Sequence, residues 1–439
     1  MNFSTLGLSD SLIRTLSAQG ITAPTPIQEK AIPLALEGRD VMGFAQTGTG
    51  KTAAFGLPLI TALLRDSRQP EPKSARALIL APTRELVNQI SESLKAFADG
   101  TPLKMQRVVG GVALGPQIKC LSRGTDVVVA TPGRLIDLLD RGALRLDKTR
   151  FLVLDEADQM LDIGFIHALR QIAPLLSRDR QTMLFSATMP KQMAELSRSY
   201  LTDPVRVEVS PPGKAADKIR QEVHYIAQSE KTGLLIELLD THKGELALVF
   251  SRTKHGADRL TRKLGAAGHS AAAIHGNRSQ GQRERALKAF ANGELQVLVA
   301  TDVAARGIDI PDVRYVYNFD LPNVTENFVH RIGRTARAGR DGCAIAFCAA
   351  DEAGSLRDVE KLMGISIPVA SGKPWPSHVE EAPKPRRRRG GGRPVGQGKP
   401  QDGTRGSGKP KPASKATSKA GEKPKSAKPQ RRRRPRRAA

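Results

Sequence analysis

Cysteine is nearly absent from this 439-residue chain, with Cys120, Cys343 and Cys348 the whole supply. Three thiols cannot build a disulfide framework or a four-cysteine metal site, so the fold must be held by its own core. Cys343 and Cys348 lie five apart on an expected strand, a spacing that sends them to opposite faces. They read as buried, inert thiols of a cytosolic chain. Aromatic residues are scarce at 4%, with a single tryptophan, Trp375. Little is therefore available for stacking on bases, and polar contacts that fix position without reading sequence are favoured. No apolar run approaches membrane-spanning length, which argues against a membrane partner. Met1-Asn2-Phe3-Ser4 opens without a basic segment and apolar stretch, so no secretory signal is expected and the cytoplasm is the expected location.

Positive charge, in contrast, is abundant and unevenly placed. The formal net charge is +25, and residues 371–439 hold 22 Lys and Arg against 4 Asp and Glu. Arginine blocks stand at 386–389, 431–434 and 436–437 among Lys-Pro, Gly and Ala. A segment this polar cannot bury enough apolar surface to offset its ordering entropy, so residues 369–439 are expected to be a disordered tail. Clustered arginines suit a polyanion, RNA being the natural candidate, through contacts indifferent to sequence.

Upstream of the tail one theme repeats: a short apolar run, a polar segment, a helical pattern. The runs are Ala77–Ala81, Val127–Ala130, Phe151–Leu154, Met183–Phe185, Leu246–Phe250, Ala271–Ile274, Val297–Ala300, Tyr315–Phe319 and Ala344–Phe347. Arg84–Phe97 places Leu86, Ile90, Leu94 and Phe97 on one helical face. Leu135–Leu139 reads as a helix opened by Thr131-Pro132-Gly133 and closed by Gly142. Alternating strands and helices predict α/β domains with parallel sheets. Ser210-Pro211-Pro212-Gly213-Lys214 has linker chemistry. The expected division is 1–29, 30–207, a linker at 208–218, a second domain at 219–368, and the tail.

Two elements carry chemistry. Ala45-Gln46-Thr47-Gly48-Thr49-Gly50-Lys51-Thr52 is a phosphate-binding loop in all but its first residue. Gly48 and Gly50 let backbone amides turn inward, Lys51 reaches the β- and γ-phosphates, and Thr52 can ligate Mg²⁺. The buried run Phe151–Leu154 ends in Asp155-Glu156-Ala157-Asp158, at the strand end where open α/β sheets bind ligands. Asp155 is placed to hold Mg²⁺ through water, and Glu156 to orient or deprotonate an attacking water. Ser186 and Thr188 follow another buried run, within reach of the acids. In the second domain, His330 precedes Arg334 and Arg337, which are three apart and expected on one helical face, suited to a triphosphate delivered on domain closure. Only the first domain has a phosphate loop. The chain reads as a nucleoside triphosphatase.

Taken together, these segments resemble the DEAD-box RNA helicases of superfamily 2 over roughly residues 1–365, within them the bacterial branch called RNA helicase E. The resemblance implies two tandem RecA-like parallel-sheet domains joined by a short linker, with ATP and Mg²⁺ as cofactors. It implies that Gln28, in Pro24-Thr25-Pro26-Ile27-Gln28, reads adenine, that Phe3 stacks on the base, and that Asp309 lies near the ribose. Pro82, Thr83, Arg84, Gly110, Gly111, Thr131, Pro132, Gly133 and Arg134 match the first domain's RNA-backbone motifs. Arg252, Gln280, Arg283 and Thr301 match those of the second. His330, Asp158, Ser186 and Thr188 fit positions that couple the RNA and ATP sites. Local unwinding of short duplexes is the implied activity, with ribosomal precursors or the RNA-decay machinery as candidate partners. A translocating DNA helicase and an RNA chaperone acting through the tail are the competing readings, separable by RNA-against-DNA stimulation and by a Glu156→Gln change. Ala336 stands where the family usually has Gly, and Ile21 where an aromatic commonly follows Gly20.

Overall fold

Apolar runs of four to six residues separated by helices are stable as parallel sheets, because crossover helices bury both faces. A computed structural model shows two such sheets; it describes residues 2–45, 48–66, 68–209, 219–305, 313–336 and 341–375. In the first domain the strands are β1 Val41–Phe44, β2 Ala75–Leu80, β3 Met105–Val108, β4 Thr125–Ala130, β5 Phe151–Leu154, β6 Gln181–Ser186 and β7 Val205–Glu208. Their order is β3-β4-β2-β5-β6-β1-β7, and every pairing is parallel. The second domain has β8 Ile219–Tyr225, β9 Leu246–Phe250, β10 Ala271–Ile274, β11 Val297–Ala300, β12 Val313–Asn318, β13 Gly342–Cys348 and β14 Val369–Ser371. Its order, β10-β11-β9-β12-β13-β8-β14, is the same permutation. The chain thus forms two tandem RecA-like domains.

Helices α1 Asp10–Ala18, α2 Pro26–Leu36, α3 Lys51–Arg65 and α4 Arg84–Phe97 cover one face of the first sheet, packing Ile27, Phe55, Ile60 and Leu94 onto Ile79, Val127 and Val153. On the other face lie α5 Leu114–Leu121, α6 Pro132–Asp140, α7 Ala157–Asp162, α8 Ile166–Ile172 and α9 Lys191–Ser197, with Leu135, Met160 and Met193 against Leu78, Leu152 and Leu184. In the second domain α10 Lys231–Thr241 and α11 Lys254–Ala266 share one face; α12 Gln280–Ala291, α13 Asp302–Ala305, α14 Glu326–Ile332 and α15 Ala353–Met363 share the other. Cys343 and Cys348 fall in cores on opposite faces, as the odd spacing requires, and burial pushes both thiols up, Cys348 to about 12. Cys120, by contrast, is exposed.

Two expected boundaries shift. Glu208 belongs to β7 rather than to the linker, of which Ser210–Lys218 lies outside the described residues. The second domain runs past 368: β14 pairs with β8, Ser371 Oγ lies 2.7 Å from His224 Nδ1, and the Trp375 indole donates to the Cys348 carbonyl at 2.9 Å. Residues 376–439 lie outside the described part. Among the described residues no helix is long and apolar enough to cross a membrane.

Candidate active site

At the carboxyl end of β1 the chain enters the phosphate loop, and Ala45 is pinned there by its amide, which donates to the Ser186 carbonyl at 3.1 Å. Gly48 and Gly50 have φ of 84° and 86°, the left-handed region that glycine enters without steric penalty. A Cβ on Gly50 would also lie 2.3 Å from Gln28 Nε2. Gln28 closes the capping box of α2: its Oε1 accepts from the Thr25 amide at 3.0 Å and its Nε2 donates to the Gly50 carbonyl at 2.9 Å. Residues 1–29 are thereby tied to the loop, which ends as Lys51 and Thr52 open α3. Gln46 and Thr47 lie outside the described residues, and Thr49 is half-buried. Phe3 is 1% exposed and packs in the apolar core with Leu6 and α2.

The acids stand at the end of β5. Asp155 is buried, with Oδ1 3.9 Å from Lys51 Nζ. Burial pushes its carboxyl up to about 6, against the pull of the Lys51 ammonium. Glu156 has φ 50° and ψ 51°, a conformation that costs an ordinary residue roughly 1–2 kcal/mol. It turns the chain sharply from strand into α7. Asp158 is held by three donors on Oδ2: the Ala187 amide at 3.1 Å, the Thr188 amide at 2.9 Å and the Thr188 hydroxyl at 3.0 Å. Ser186 Oγ accepts from the Asp158 amide at 3.3 Å and donates to the Thr188 carbonyl at 2.6 Å. The hydroxyls at the end of β6 therefore hold the third acid in place.

The second domain reaches this site through α14. His330 Nε2 lies 3.9 Å from Asp158 Oδ2. The expected common helical face for Arg334 and Arg337 is not what presents Arg334, because α14 ends at Ile332 and Gly333 caps it. Arg334 sits in the following turn, 3% exposed, with Nε donating to the His330 carbonyl at 3.2 Å. Arg337 and Asp309 lie outside the described residues. Ala336 has φ 56°, which accounts physically for a glycine preference at that position.

A cleft of about 480 Å³ runs between the domains. Pro82, Thr83, Arg84 and Gly110 line it beside Thr131, Gly133 and Arg134, and Arg278 and Arg283 face them from the second domain. Gly111 lets the Arg84 guanidinium lie against the backbone, since a Cβ there would be 2.0 Å from Nη1. Arg84 Nη1 donates to Gln280 Oε1 at 3.3 Å, Gln280 Nε2 donates to Glu85 Oε1 at 3.2 Å, and Arg283 pairs with Glu85 Oε2 at 2.9 Å. Burial, and next the nearby Arg283 cation, hold the Arg84 guanidinium below its usual pKa. An anion in the cleft would relieve both effects. Pro132 is the buried first residue of α6. Arg252 and Thr301 do not line the cleft: the Arg252 guanidinium is engaged by Glu352, and the Thr301 amide donates to the Ile274 carbonyl.

Residues 25–196 match the DEAD/DEAH box helicase model and residues 230–339 the helicase conserved C-terminal domain. The ATP-dependent RNA helicase CshA of Limosilactobacillus reuteri is 44% identical over 367 residues, 84% of this chain and 73% of that one. The chain belongs to the DEAD-box helicases. It is an ATP-hydrolysing RNA helicase. S. cerevisiae Dbp5 bound to RNA and ADP BeF3 is similar with a TM-score of 0.76 and 34% identity, over 84% of this chain and 95% of that chain. The DEAD-box helicase Mss116 bound to ssRNA and UDP-BeF gives 0.78 at 29% identity, over 85% and 81%.

Residue-level reading of this DEAD-box chain missed Arg331. It is 2% exposed and sits 4.8 Å over the Phe250 ring. It grips both Asp302 oxygens and also donates to Asn318 Oδ1 and the Asp320 carbonyl. Arg334 is as deeply buried, so the acceptors gathered around Arg331, and not burial, mark it as the arginine that braces the second-domain core. Glu85, the acceptor for both Gln280 and Arg283, was likewise not among the expected site residues.

Proposed function

We propose that this helicase separates short RNA duplexes locally, by closing its two domains over one ATP and one RNA strand and reopening after hydrolysis. The supporting observation is the joint placement of His330 against Asp158 and of Arg283 against Glu85, two cross-domain contacts beside the nucleotide loop and the cleft. Both elements belong to a chain that resembles RNA- and nucleotide-bound relatives over both domains.

Lys51 meets the β- and γ-phosphates, and Gln28, which already braces Gly50, sits where adenine is read. Glu156, fixed by its turn at the strand end, orients the attacking water. Arg334, buried beside His330, brings a guanidinium towards the charge that builds on the γ-phosphate, together with Arg337. Among the described residues no group of three acids or imidazoles forms a metal cage. That suits Mg²⁺, which takes one or two protein oxygens along with phosphates and water. Asp155 and Thr52 would hold it, and a carboxyl raised by burial is the donor a divalent cation would satisfy. When bound, Mg²⁺ neutralises phosphate charge. RNA lies along Arg84, Arg134 and Arg283, its phosphates read by position and not by base. Because both ligands favour closure, each tightens the other.

Glu156→Gln tests this reading. ATP affinity should hold, while turnover falls by about 10²–10⁴-fold and strand separation is lost with it. Strand separation that survives the change would leave the basic tail, acting without ATP, as the source of activity.

A further inference from the structure

The shared strand permutation gives each position in domain 1 a counterpart in domain 2. The helix after the first strand opens on Lys-Thr in both: Lys51-Thr52 at α3 and Lys231-Thr232 at α10. Asp155 directly follows β5, Asp320 follows the counterpart β12 after Phe319, and the lysine-to-aspartate distances agree. Lys51 Nζ is 3.9 Å from Asp155 Oδ1, and Lys231 Nζ is 3.9 Å from Asp320 Oδ1. Each aspartate amide also donates to the last residue of the neighbouring strand, Leu80 in one case and Phe250 in the other.

The differences are as informative. Ile226–Glu230, which leads into α10, contains no glycine, and Glu230 has φ −93° where Gly50 has 86°. Amides there cannot turn inward around a triphosphate. Lys231 is wholly buried and donates to the Phe319 carbonyl at 2.8 Å and to Glu352 Oε2. The Glu352 carboxylate also accepts from Arg252 Nη2, the Leu321 amide at 3.0 Å and the Ala349 amide at 3.1 Å. One ammonium, one guanidinium and two backbone amides converge on a single anion. That donor set is the one proteins use for phosphate. A buried lysine needs a counter-charge, but a simple ion pair would not require the other three donors.

We propose that domain 2 keeps a second phosphoanion cradle at the counterpart of the nucleotide site, in which the Glu352 carboxylate takes the place of a phosphate. The plug consumes the Lys231 charge internally and confines nucleotide binding to the first domain. Beside it opens a cleft of about 430 Å³, where Arg252 forms part of the wall with Arg259, Lys263, Thr232 and Thr253. A small phosphoanion has a cationic route to the cradle once the carboxylate is gone.

The test uses full-length protein with saturating ADP, so that the first site is filled alike in wild type and variant. Melting is followed against inorganic phosphate, acetate and chloride at matched ionic strength. Glu352→Ala should gain about 3 °C at a tenfold excess of phosphate over half-saturation, while wild type follows chloride. The Lys231→Ala/Glu352→Ala pair should lose the gain. A Glu352→Ala protein that responds to acetate but not phosphate, or to neither, overturns the proposal, since the site would then be a structural ion pair only. If Glu352→Ala cannot be recovered folded, Glu352→Gln keeps the shape, drops the charge and faces the same titration with the same two outcomes.

Discussion

His330 of the second domain and Asp158 of the first meet at 3.9 Å on one carboxylate oxygen, the oxygen that also accepts from Ala187 and Thr188. A single atom thus joins the acid turn after β5, the hydroxyl turn at the end of β6 and the second domain. Replacing His330 by Ala removes the cross-domain partner and leaves the three local donors in place. The expected result is loss of the mutual tightening between ATP and RNA, normally worth 1–3 kcal/mol or about 5–150-fold. ATP affinity measured with and without RNA should then give a ratio near one. An unchanged ratio would reduce the contact to packing.

Asp155 sets a pH dependence whose sign can be worked out. Its folded pKa of about 6 lies above the ordinary value of 3.8, so between those limits the native state holds a proton that the unfolded chain has released. By linkage, this group's contribution to stability falls as pH rises through that window. In the proposed reading Mg²⁺ with nucleotide takes the ionised carboxylate, so binding near pH 5.5 should release roughly three-quarters of a proton and binding near pH 7.5 almost none. Calorimetry in buffers of differing ionisation enthalpy measures this directly. Proton release that is equal at both pH values, or that persists in Asp155→Asn, would place the titration elsewhere.

Runs buried on both faces were legible because nothing but apolar residues can occupy them. Phe151–Leu154, Leu246–Phe250, Ala271–Ile274 and Val297–Ala300 end in the structure where the apolar letters end. β1 escaped because Gly43 interrupts it, for a reason only packing reveals: a Cβ there would lie 2.6 Å from the Phe185 ring. β8 escaped because Arg220-Gln221-Glu222 breaks any apolar run, although Gln221 is buried between Ile219 and Val223 on the inward face. The site divides the same way. Lys51, Asp155, Glu156 and Asp158 were readable from local motifs. Glu85 depends on Gln280, 195 residues away, Arg331 on Asp302, 29 away, and Lys231 on Glu352, 121 away, which no local pattern announces.

Ala336 tests a single torsion. At φ 56° an alanine bears a left-handed strain of roughly 1–2 kcal/mol that glycine does not. Part of that gain is offset by the extra freedom glycine gives the unfolded chain. Ala336→Gly should therefore raise stability to denaturant by about 0.5–1 kcal/mol, with RNA affinity unchanged. A loss of stability would mean that the alanine methyl, packed at the edge of the Phe328 core, contributes more than the torsion costs.

The charge profile suggests cutting the tail near 368, and the structure moves that cut to 375. Truncation after Pro368 removes the β14–β8 pairing, the Ser371–His224 contact and the Trp375 indole bond to the Cys348 carbonyl. A half-buried tryptophan and an edge strand together stabilise the second domain by about 2 kcal/mol, so the 1–368 protein should melt earlier than the full chain. Truncation after Trp375 should leave melting and basal ATP turnover as they were, because it removes only Lys/Arg-rich sequence. It should nonetheless weaken RNA binding and flatten its dependence on salt, since each phosphate no longer neutralised takes about 0.7 from the logarithmic slope for single strands. Identical melting for the two truncations would deny β14 and Trp375 a structural part. Identical salt slopes for the 1–375 protein and the full chain would show that the arginine blocks do not touch the RNA.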